Sequence, residues 1–191
     1  NFTEFTIPAA VTTIGEGAFT SNTKIETIVI PLNVTKIGNA AFSYCDALTT
    51  FTIQTPGEGE TASALELGSL SASANEQGVF YMSQKLANVD LGNRVSSIGA
   101  YAFYQATDLN SIALGDQLTT IGNYAFQNAA LTSVTIPTSV TSIGKEAFFA
   151  NASLVSITIP ESVTSIGDSA FYNCSSLTSI VIPDSVTSIG D

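Results

Sequence analysis

Histidine and tryptophan are both absent from this 191-residue sequence, and charged residues are scarce. Without histidine the chain cannot build the histidine-dependent Ser or Cys hydrolase sites, and most zinc sites are excluded as well. Charged residues make up 11% of the chain, and the net charge is −11. Nucleic acids and anionic membrane surfaces bind through clustered bases, and the five bases here are scattered. We therefore predict no nucleic-acid partner. The five are Lys24, Lys36, Lys85, Arg94 and Lys145.

Long apolar runs and phosphate-binding loops are missing too. No stretch approaches the ~18 apolar residues of a membrane-spanning helix, so we predict no membrane insertion of this segment. The glycines are spaced at regular intervals instead of forming a phosphate loop, and Gly57–Glu60 reads as a turn. We expect no cofactor.

A repeat is what the sequence does contain. The six residues SVTSIG occur at 139–144, 162–167 and 185–190. Aligning LTSVTIPTSVTSIGKEAFFANAS (131–153) with LVSITIPESVTSIGDSAFYNCSS (154–176) needs no gap and gives a period of 23 residues. Such a period predicts a solenoid, in which stacked units bury an apolar face that one unit cannot bury alone.

The repeat extends through the chain as seven full or nearly full units and a partial eighth, which we treat as a single domain spanning 1–191. A phenylalanine recurs in register in all seven units. The third unit carries about fifteen extra residues, and the fifth is one residue short. The units are 2–24, 25–47, 48–85, 86–108, 109–130, 131–153, 154–176 and 177–191, and the phenylalanines are Phe19, Phe42, Phe80, Phe103, Phe126, Phe148 and Phe171.

Each repeated position has a structural reason. The L-x-x-I-x-I segment alternates like a strand with one buried face, and the proline or glycine after it ends that strand. The V-T-S-I-G segment predicts a short extended arm, whose glycine permits either a positive φ or a close backbone approach. The x-x-A-F segment predicts a short helical turn, and residues such as Asn39, Asn123 or Asp168 stand where a helix cap belongs.

The segment GDSAFYNCSSLTSIVIPDSVTSIGD (167–191) resembles the BspA-like, or treponemal-type, leucine-rich repeat. The resemblance implies a right-handed leucine-rich-repeat solenoid, rich in β-structure, with a parallel sheet on its concave side. It also implies a secreted or surface-displayed protein of a host-associated microbe, in a family where some members are adhesins for fibronectin or fibrinogen. The family has no shared catalytic residues and no required cofactor. This sequence departs from the pattern at Gln54–Ala74 and lacks Cys in most units.

The two cysteines occupy one repeat position in units that are five apart. Coils stacked at about 4.8 Å place Cys45 and Cys174 roughly 24 Å from each other, whereas a disulfide needs Cα atoms within about 7 Å. We expect two free, buried thiols that pack as small apolar groups.

The first candidate surface is the outward face of the main strands. The third and fifth residues of each unit point outward, and they are small, polar and nearly uncharged. Such residues either form plain strand surface or a broad, shallow binding face. The candidate binding residues are Asn88, Asp90, Ser111, Ser133, Thr135, Ser156 and Thr158, with Ser179 and Val181 at the same positions of the last unit.

The second candidate is the insertion at about 54–74. The FTI and ALEL segments on its two sides could pair as a projecting hairpin, or the whole insertion could be a tolerated bulge. Its candidate loop residues are Glu58, Glu60 and Glu66, joined by Glu76 in the wider segment. They add negative potential that favours a basic partner. Calcium binding or carboxylate-based catalysis by these acids is the weaker interpretation, because no ligand or acid-pair spacing is present.

We predict an extracellular or cell-surface repeat module, adhesin-like, that recognises a protein or glycan ligand such as a host matrix protein. The alternative is a structural spacer that presents another domain, and an enzyme ranks below both. Neither end of the sequence has a distinct polar cap. We therefore expect a segment of a longer chain, or ends that make end-to-end contacts.

Overall fold

The computed structural model describes residues 4–71 and 77–191, which form eight stacked coils built from fifteen short strands. The strands are β1 (Glu4–Thr6), β2 (Thr13–Ile14), β3 (Thr27–Ile30), β4 (Lys36–Ile37), β5 (Thr50–Ile53), β6 (Leu65–Leu67), β7 (Asn88–Asp90), β8 (Val95–Ile98), β9 (Ser111–Ala113), β10 (Thr120–Ile121), β11 (Ser133–Thr135), β12 (Ser142–Ile143), β13 (Ser156–Thr158), β14 (Ser165–Ile166) and β15 (Ser188–Ile189).

Each coil contributes to two parallel sheets. The first sheet has the order β1-β3-β5-β7-β9 and continues, after a break, as the pair β11-β13. The second sheet joins eight strands in the order β15-β14-β12-β10-β8-β6-β4-β2. The register advances by one coil at each pairing, as in Thr27 opposite Thr50. The predicted repeat solenoid with parallel sheets is confirmed.

The break in the first sheet lies between β9 and β11. It coincides with the fifth unit, which is one residue short between Phe126 and Leu131. Other units have two residues between the buried small residue and the leucine that opens the next strand. Because this corner is tighter, β11 does not form a regular ladder of backbone hydrogen bonds with β9, although the two strands remain in contact.

A ladder of seven phenylalanine rings runs through the core. Successive rings, from Phe19 to Phe171, lie 5.1–5.6 Å apart and within 17° of parallel. The five inner rings are no more than 1% exposed. Offset stacking at this spacing contributes beyond the burial of apolar area. The predicted register of the repeat is therefore confirmed.

Polar side chains of the SVTSIG segment tie each coil to the one before it. The Ser162 hydroxyl donates to the Val140 carbonyl oxygen at 2.7 Å, and Ser139 and Ser185 do the same one coil away in each direction. The Thr164 hydroxyl donates to the Thr141 carbonyl oxygen at 3.2 Å. These hydroxyls are kept because each one satisfies a backbone carbonyl of its neighbour.

The glycine that closes the segment serves close approach, not a positive φ. A Cβ built on Gly122 would lie 2.9 Å from the Ala100 nitrogen, and one on Gly167 would lie 2.4 Å from the Lys145 nitrogen. Neither glycine has a positive φ. Of the two reasons that the sequence left open, the structure selects backbone contact between successive coils.

The predicted helical turn takes a different form. The described residues contain no helix, and the arm around each phenylalanine is a chain of β-turns. In the fourth coil the N–H groups alternate: those of Ala102 and Tyr104 bond within the coil, while those of Phe103 and Gln105 bond to carbonyls of the next coil. A helix would turn all of these donors inward and leave the next coil unpaired. Accordingly, Asn123 caps no helix, and its side-chain oxygen accepts the N–H of Lys145 at 2.9 Å.

Strand β6 divides the insertion of the third unit, and of the two alternatives for it the projecting hairpin is wrong. β5 pairs with β3 and β7 in the first sheet, whereas β6 pairs with β4 and β8 in the second. The ALEL segment thus takes the place of V-T-S-I in this coil. Extra residues precede β6 in the loop 54–64, and the sequence has others after Gly68, where 72–74 of the predicted insertion fall outside the described residues.

Arg94 stabilises the third coil, which carries the insertion. It occupies the repeat position of Ser139 and Ser162 and is only 3% exposed. Its guanidinium donates to the carbonyl oxygens of Val34 at 2.6 Å, Ser63 at 3.1 Å and Pro31 at 3.3 Å. Burial lowers its pKa from the ordinary value. One long side chain therefore reaches across the disturbed coil to acceptors that a serine could not reach.

The cysteines are free and buried, as predicted. The thiol of Cys45 donates to the Phe19 carbonyl oxygen at 3.2 Å, and that of Cys174 to the Phe148 carbonyl oxygen at 3.1 Å. At the same repeat position, Ser83 donates to Phe42 at 2.6 Å and Asn151 donates to Phe126 at 2.7 Å. The position therefore holds small buried residues, which are hydrogen-bond donors in these four coils and alanines, Ala106 and Ala129, in the fourth and fifth.

Candidate functional site

The outward face of the first sheet places Asn88, Asp90 and Ser111 together. β7 and β9 are adjacent, with Asn88 opposite Ser111 and Asp90 opposite Ala113. These side chains, with Thr50 and Thr52 of β5, line one shallow concavity. The buried partners Phe51 and Val89 lie on the other face, so the period-two alternation predicted the exposure of these residues correctly.

The first loop of the third coil borders this concavity. Gln54, Thr55 and Glu60 line a second shallow depression together with Asp90. The Glu60 carboxylate accepts the Gly57 N–H at 2.9 Å, and the Asp90 carboxylate accepts the Gly92 N–H at 2.9 Å. Each acid is thereby held by its own turn while its charge stays exposed. We call the combined area, formed by Thr50, Thr52, 54–60, Asn88, Asp90 and Ser111, the strand-loop surface.

The remaining candidates do not join it. Ser133, Thr135, Ser156 and Thr158 are exposed, but they lie on the separate β11-β13 pair beyond the break. The predicted outward residues of the last unit, Ser179 and Val181, are exposed without forming a strand. The candidate surface is therefore divided in two by the shortened fifth unit.

The acids of the insertion are also dispersed. Glu58 and Glu60 lie in the 54–64 loop, but Glu66 lies on β6 in the second sheet, where its carboxylate is 3.9 Å from the Lys36 ammonium. The placement of Glu66 in an insertion loop was wrong, because the alignment of the third unit treated one strand as part of the insertion. Glu76 falls outside the described residues. Among the described residues, no group of three or more His, Cys, Asp or Glu side chains is placed to hold a metal ion.

A cluster of tyrosines was missed by the sequence reasoning. Five of the six tyrosines converge on the outer side of the turn arms. Tyr81 stacks on Tyr104 with ring centroids 4.7 Å apart, and Tyr101 stacks on Tyr124 at 4.5 Å. The two stacks meet edge to face at 5.9 Å between Tyr101 and Tyr104, and Tyr44 joins edge to face with Tyr81. We call these five residues the tyrosine strip.

A signal for the strip was present in the sequence. YAFY (101–104) and YAF (124–126) put tyrosines at fixed offsets from the core phenylalanine in successive units. Burial and the neighbouring phenols raise the pKa of Tyr81 and Tyr101. The rings are half-buried, so the strip is part of the molecular surface.

No helix in the described ranges has the length and apolar character needed to cross a membrane.

Stacked parallel coils with a 23-residue period, a phenylalanine ladder and a glycine corner define a leucine-rich repeat solenoid. The family model of the BspA-type leucine-rich repeat region matches residues 1–62 and 75–191 in six copies. The chain belongs to the BspA-type leucine-rich repeat family.

Two solved structures resemble it. The leucine-rich repeat protein of T. pallidum is 25% identical, with a TM-score of 0.71, over 86% of this chain and 71% of that one. A leucine-rich cell surface protein of Faecalibacterium prausnitzii A2-165 is 31% identical, with a TM-score of 0.56, over 90% of this chain. The present chain spans 51% of that second protein. No curated protein matches the sequence.

Proposed function

We propose that this chain is a ligand-binding repeat module of a secreted or cell-surface bacterial protein, and that it recognises a protein partner through the strand-loop surface. Family membership and the likeness to a leucine-rich cell surface protein of F. prausnitzii support the location. The main observation in favour of this surface is that two features which break the repeat lie side by side in the structure. The widened coil and the unusual Asn88 and Asp90 border the same depressions.

The ligand chemistry follows from charge and shape. Both depressions are shallow, which suits a protein surface better than an enclosed small molecule. Glu60 and Asp90 are exposed acids on a chain of net charge −11, so a basic patch on the partner is favoured. A host matrix protein such as fibronectin or fibrinogen remains the adhesin-like version of this proposal, and a glycan its less favoured version.

The test is binding of the purified chain to immobilised fibronectin and fibrinogen, followed by charge-neutralising variants. Asp90→Asn and Glu60→Gln keep an acceptor for each turn and remove the charge. We expect slower association and a weaker dependence on salt, because exposed charges act mainly on the encounter and are screened beyond about 10 Å at 0.1 M. Glu161→Gln, an exposed acid on the seventh coil, is the matched control.

The spacer alternative makes the opposite prediction. A spacer binds none of the panel, and the paired variants then behave like the control. The absence of catalysis is likewise part of the proposal: we expect no activity of the purified chain toward glycoside substrates.

A further inference from the structure

We infer that the solenoid has a hinge between its fifth and sixth coils, and that bending at this hinge opens and closes the first-sheet side of the molecule. The hinge lies at the break between β9 and β11. It is inferred from the contacts between two coils alone, so it does not depend on the proposed function above.

The corner that leads into β11 lacks the turn found at other corners. Before the seventh coil, the Leu154 N–H donates to the Asn151 carbonyl oxygen at 3.0 Å, a bond that spans three residues. The equivalent residues before β11 are Ala129 and Leu131, which are only two positions apart because the fifth unit is one residue short. The hydrogen-bonded β-turn that fixes the other corners therefore cannot form here in the same way.

On the first-sheet side, the fifth and sixth coils are bonded at the point where their strands begin. The Thr132 N–H donates to the Asn110 carbonyl oxygen at 2.9 Å, and the Thr132 hydroxyl donates to the same oxygen at 3.1 Å. Beyond this point the described strands β9 and β11 form no ladder, whereas β7 and β9 pair at three successive residues.

The core side chains on this side are partly uncovered at the break. Ile112 and Leu114 of the fifth coil are half-buried, whereas the equivalent residues of the second, third, fourth, sixth and seventh coils are all buried. Those residues are Ile28, Ile30, Phe51, Ile53, Val89, Leu91, Val134, Ile136, Ile157 and Ile159. Unpaired backbone and incomplete burial are the features of regions that open at a low cost in free energy.

The other two sides of the same pair of coils are fully bonded. In the second sheet, β10 pairs with β12, and Thr120 lies opposite Ser142. On the turn arm, the Phe126 N–H donates to the Ala147 carbonyl oxygen at 2.8 Å, and the rings of Phe126 and Phe148 stack at 5.3 Å. Two coils that are joined along two sides and separated along the third move most easily by rotating about the joined sides, which is a hinge.

Bending at this hinge changes the relation between the two parts of the outward face. The strand-loop surface lies on the third to fifth coils, whereas Thr135 and Thr158 lie on the β11-β13 pair. Rotation at the break changes the angle between these two parts while each part keeps its own shape. A partner that contacts both parts would select one angle from those that the free chain samples.

The experiment is double electron–electron resonance between spin labels on pairs of introduced cysteines. The background is Cys45→Ala with Cys174→Ala, because the fourth and fifth coils have alanine at this repeat position. The test pair, Val29→Cys with Thr135→Cys, spans the break from the second to the sixth coil. Both positions are exposed on the first sheet, at a separation of roughly 19 Å.

Two control pairs span the same number of coils. Thr6→Cys with Ala113→Cys uses the same repeat position on the unbroken part of the first sheet, from the first to the fifth coil. Lys36→Cys with Ser142→Cys again runs from the second to the sixth coil, but on the second sheet, where the pairing is continuous. The first control tests the break, and the second tests the side on which the hinge opens.

We expect the distance distribution of the test pair to be at least about twofold broader than that of either control. Insertion of one serine after Ala130 restores a 23-residue unit and lets the corner turn and the missing ladder form. In this variant the distribution of the test pair should narrow to the width of the controls.

Equal widths for the test pair and the controls overturn the inference. A broad distribution in either control also overturns it, because the motion would then not be a rotation confined to the break. So does an unchanged width in an insertion variant whose circular dichroism spectrum matches that of the parent. If the insertion variant does not fold, the three pairs in the chain without the insertion decide the question. None of these measurements uses a ligand, so they leave the test of the strand-loop surface separate.

Discussion

The third coil differs from the sixth and seventh coils in how it stacks on its neighbours, although all three keep a phenylalanine in the core ladder. Residues 131–176 repeat without a gap, and serine, threonine and glycine at fixed positions join each coil to its neighbour. The third coil has residues added before and after β6, and the pairing of β6 with β8 has a register shift between Leu65 and Glu66. Its phenylalanine nevertheless stays in the ladder. The repeat therefore tolerates changes at corners as long as strands and core ring keep their places.

Replacing a core phenylalanine should have the largest effect on stability, in the regular coils and in the third coil alike. Phe126→Ala in a regular coil and Phe80→Ala in the irregular one should each cost roughly 3 to 5 kcal/mol of unfolding free energy, because both rings are fully buried and stacked on two sides. Chemical denaturation monitored by circular dichroism measures both. A much smaller cost for Phe80 would mean that the ladder is not equally tight through the third coil.

Replacing Arg94 should have the next largest effect on the unfolding free energy. Arg94→Met leaves the buried Val34 carbonyl without this donor, removes the half-buried bonds to Ser63 and Pro31, and should cost about 2 to 4 kcal/mol. Ser162→Ala, at the same repeat position in a regular coil, removes one donor and should cost about 1 kcal/mol. Arg94→Lys should not restore stability, since an ammonium cannot reproduce the guanidinium fork. Equal costs for Arg94→Met and Ser162→Ala would contradict the stabilising role of Arg94.

Asn151 belongs to a column of small buried residues, one in each of the second to seventh coils, that also contains Cys45, Ser83 and Cys174. Its amide group donates to Phe126 and Phe148, but its side-chain oxygen is buried without a hydrogen-bond partner. Asn151→Ser removes that unpaired acceptor and should raise the unfolding free energy by about 1 kcal/mol. Ser83→Ala removes the donor to Phe42 from the same column and should lower it by a similar amount. A loss of stability in Asn151→Ser would show that the lost volume dominates.

Shortening the first loop should have a small effect on stability. Replacing 55–62 with a short Gly/Ser link keeps β5, β6 and the Ser63 carbonyl that Arg94 contacts. Closing a shorter loop changes the unfolding free energy by less than about 1 kcal/mol. The same change should abolish binding at the strand-loop surface. Replacing all of 54–74 instead removes β6 from the second sheet, and an equally stable product would show that β6 is dispensable.

The smallest effect at neutral pH concerns the thiols. Burial raises the pKa of Cys45 from 9.0 to about 11. Since the folded state disfavours the thiolate, this contribution to stability is complete below pH 9 and is lost as pH rises toward 11. A thiol reagent should react slowly with both cysteines in the native protein and rapidly after unfolding. Fast native labelling of Cys45 would contradict its burial.

The sequence predicted the ladders well because one residue type recurs at one spacing. Phe, Ile and Val positions followed directly from the period. The turn arm was harder, because A-F-x-x-C has the spacing of a helix, while the alternate N–H groups bond to the next coil. The third coil was aligned poorly, since Leu65 and Leu67 resemble any alternating strand and their partner strands lie in other units. The tyrosine strip could not be predicted, because the sequence does not show which positions around the core phenylalanine lie on the same side of the turn arm.

The two aromatic arrays also make the molecule its own reporter. Phenylalanine and tyrosine absorb at different near-ultraviolet wavelengths, and the chain has no tryptophan to mask them. Phenylalanine rings in the core ladder and tyrosine rings in the strip are close enough to couple their electronic transitions. Near-ultraviolet circular dichroism can therefore follow the interior through one band and the turn-arm surface through the other, in a single unlabelled sample.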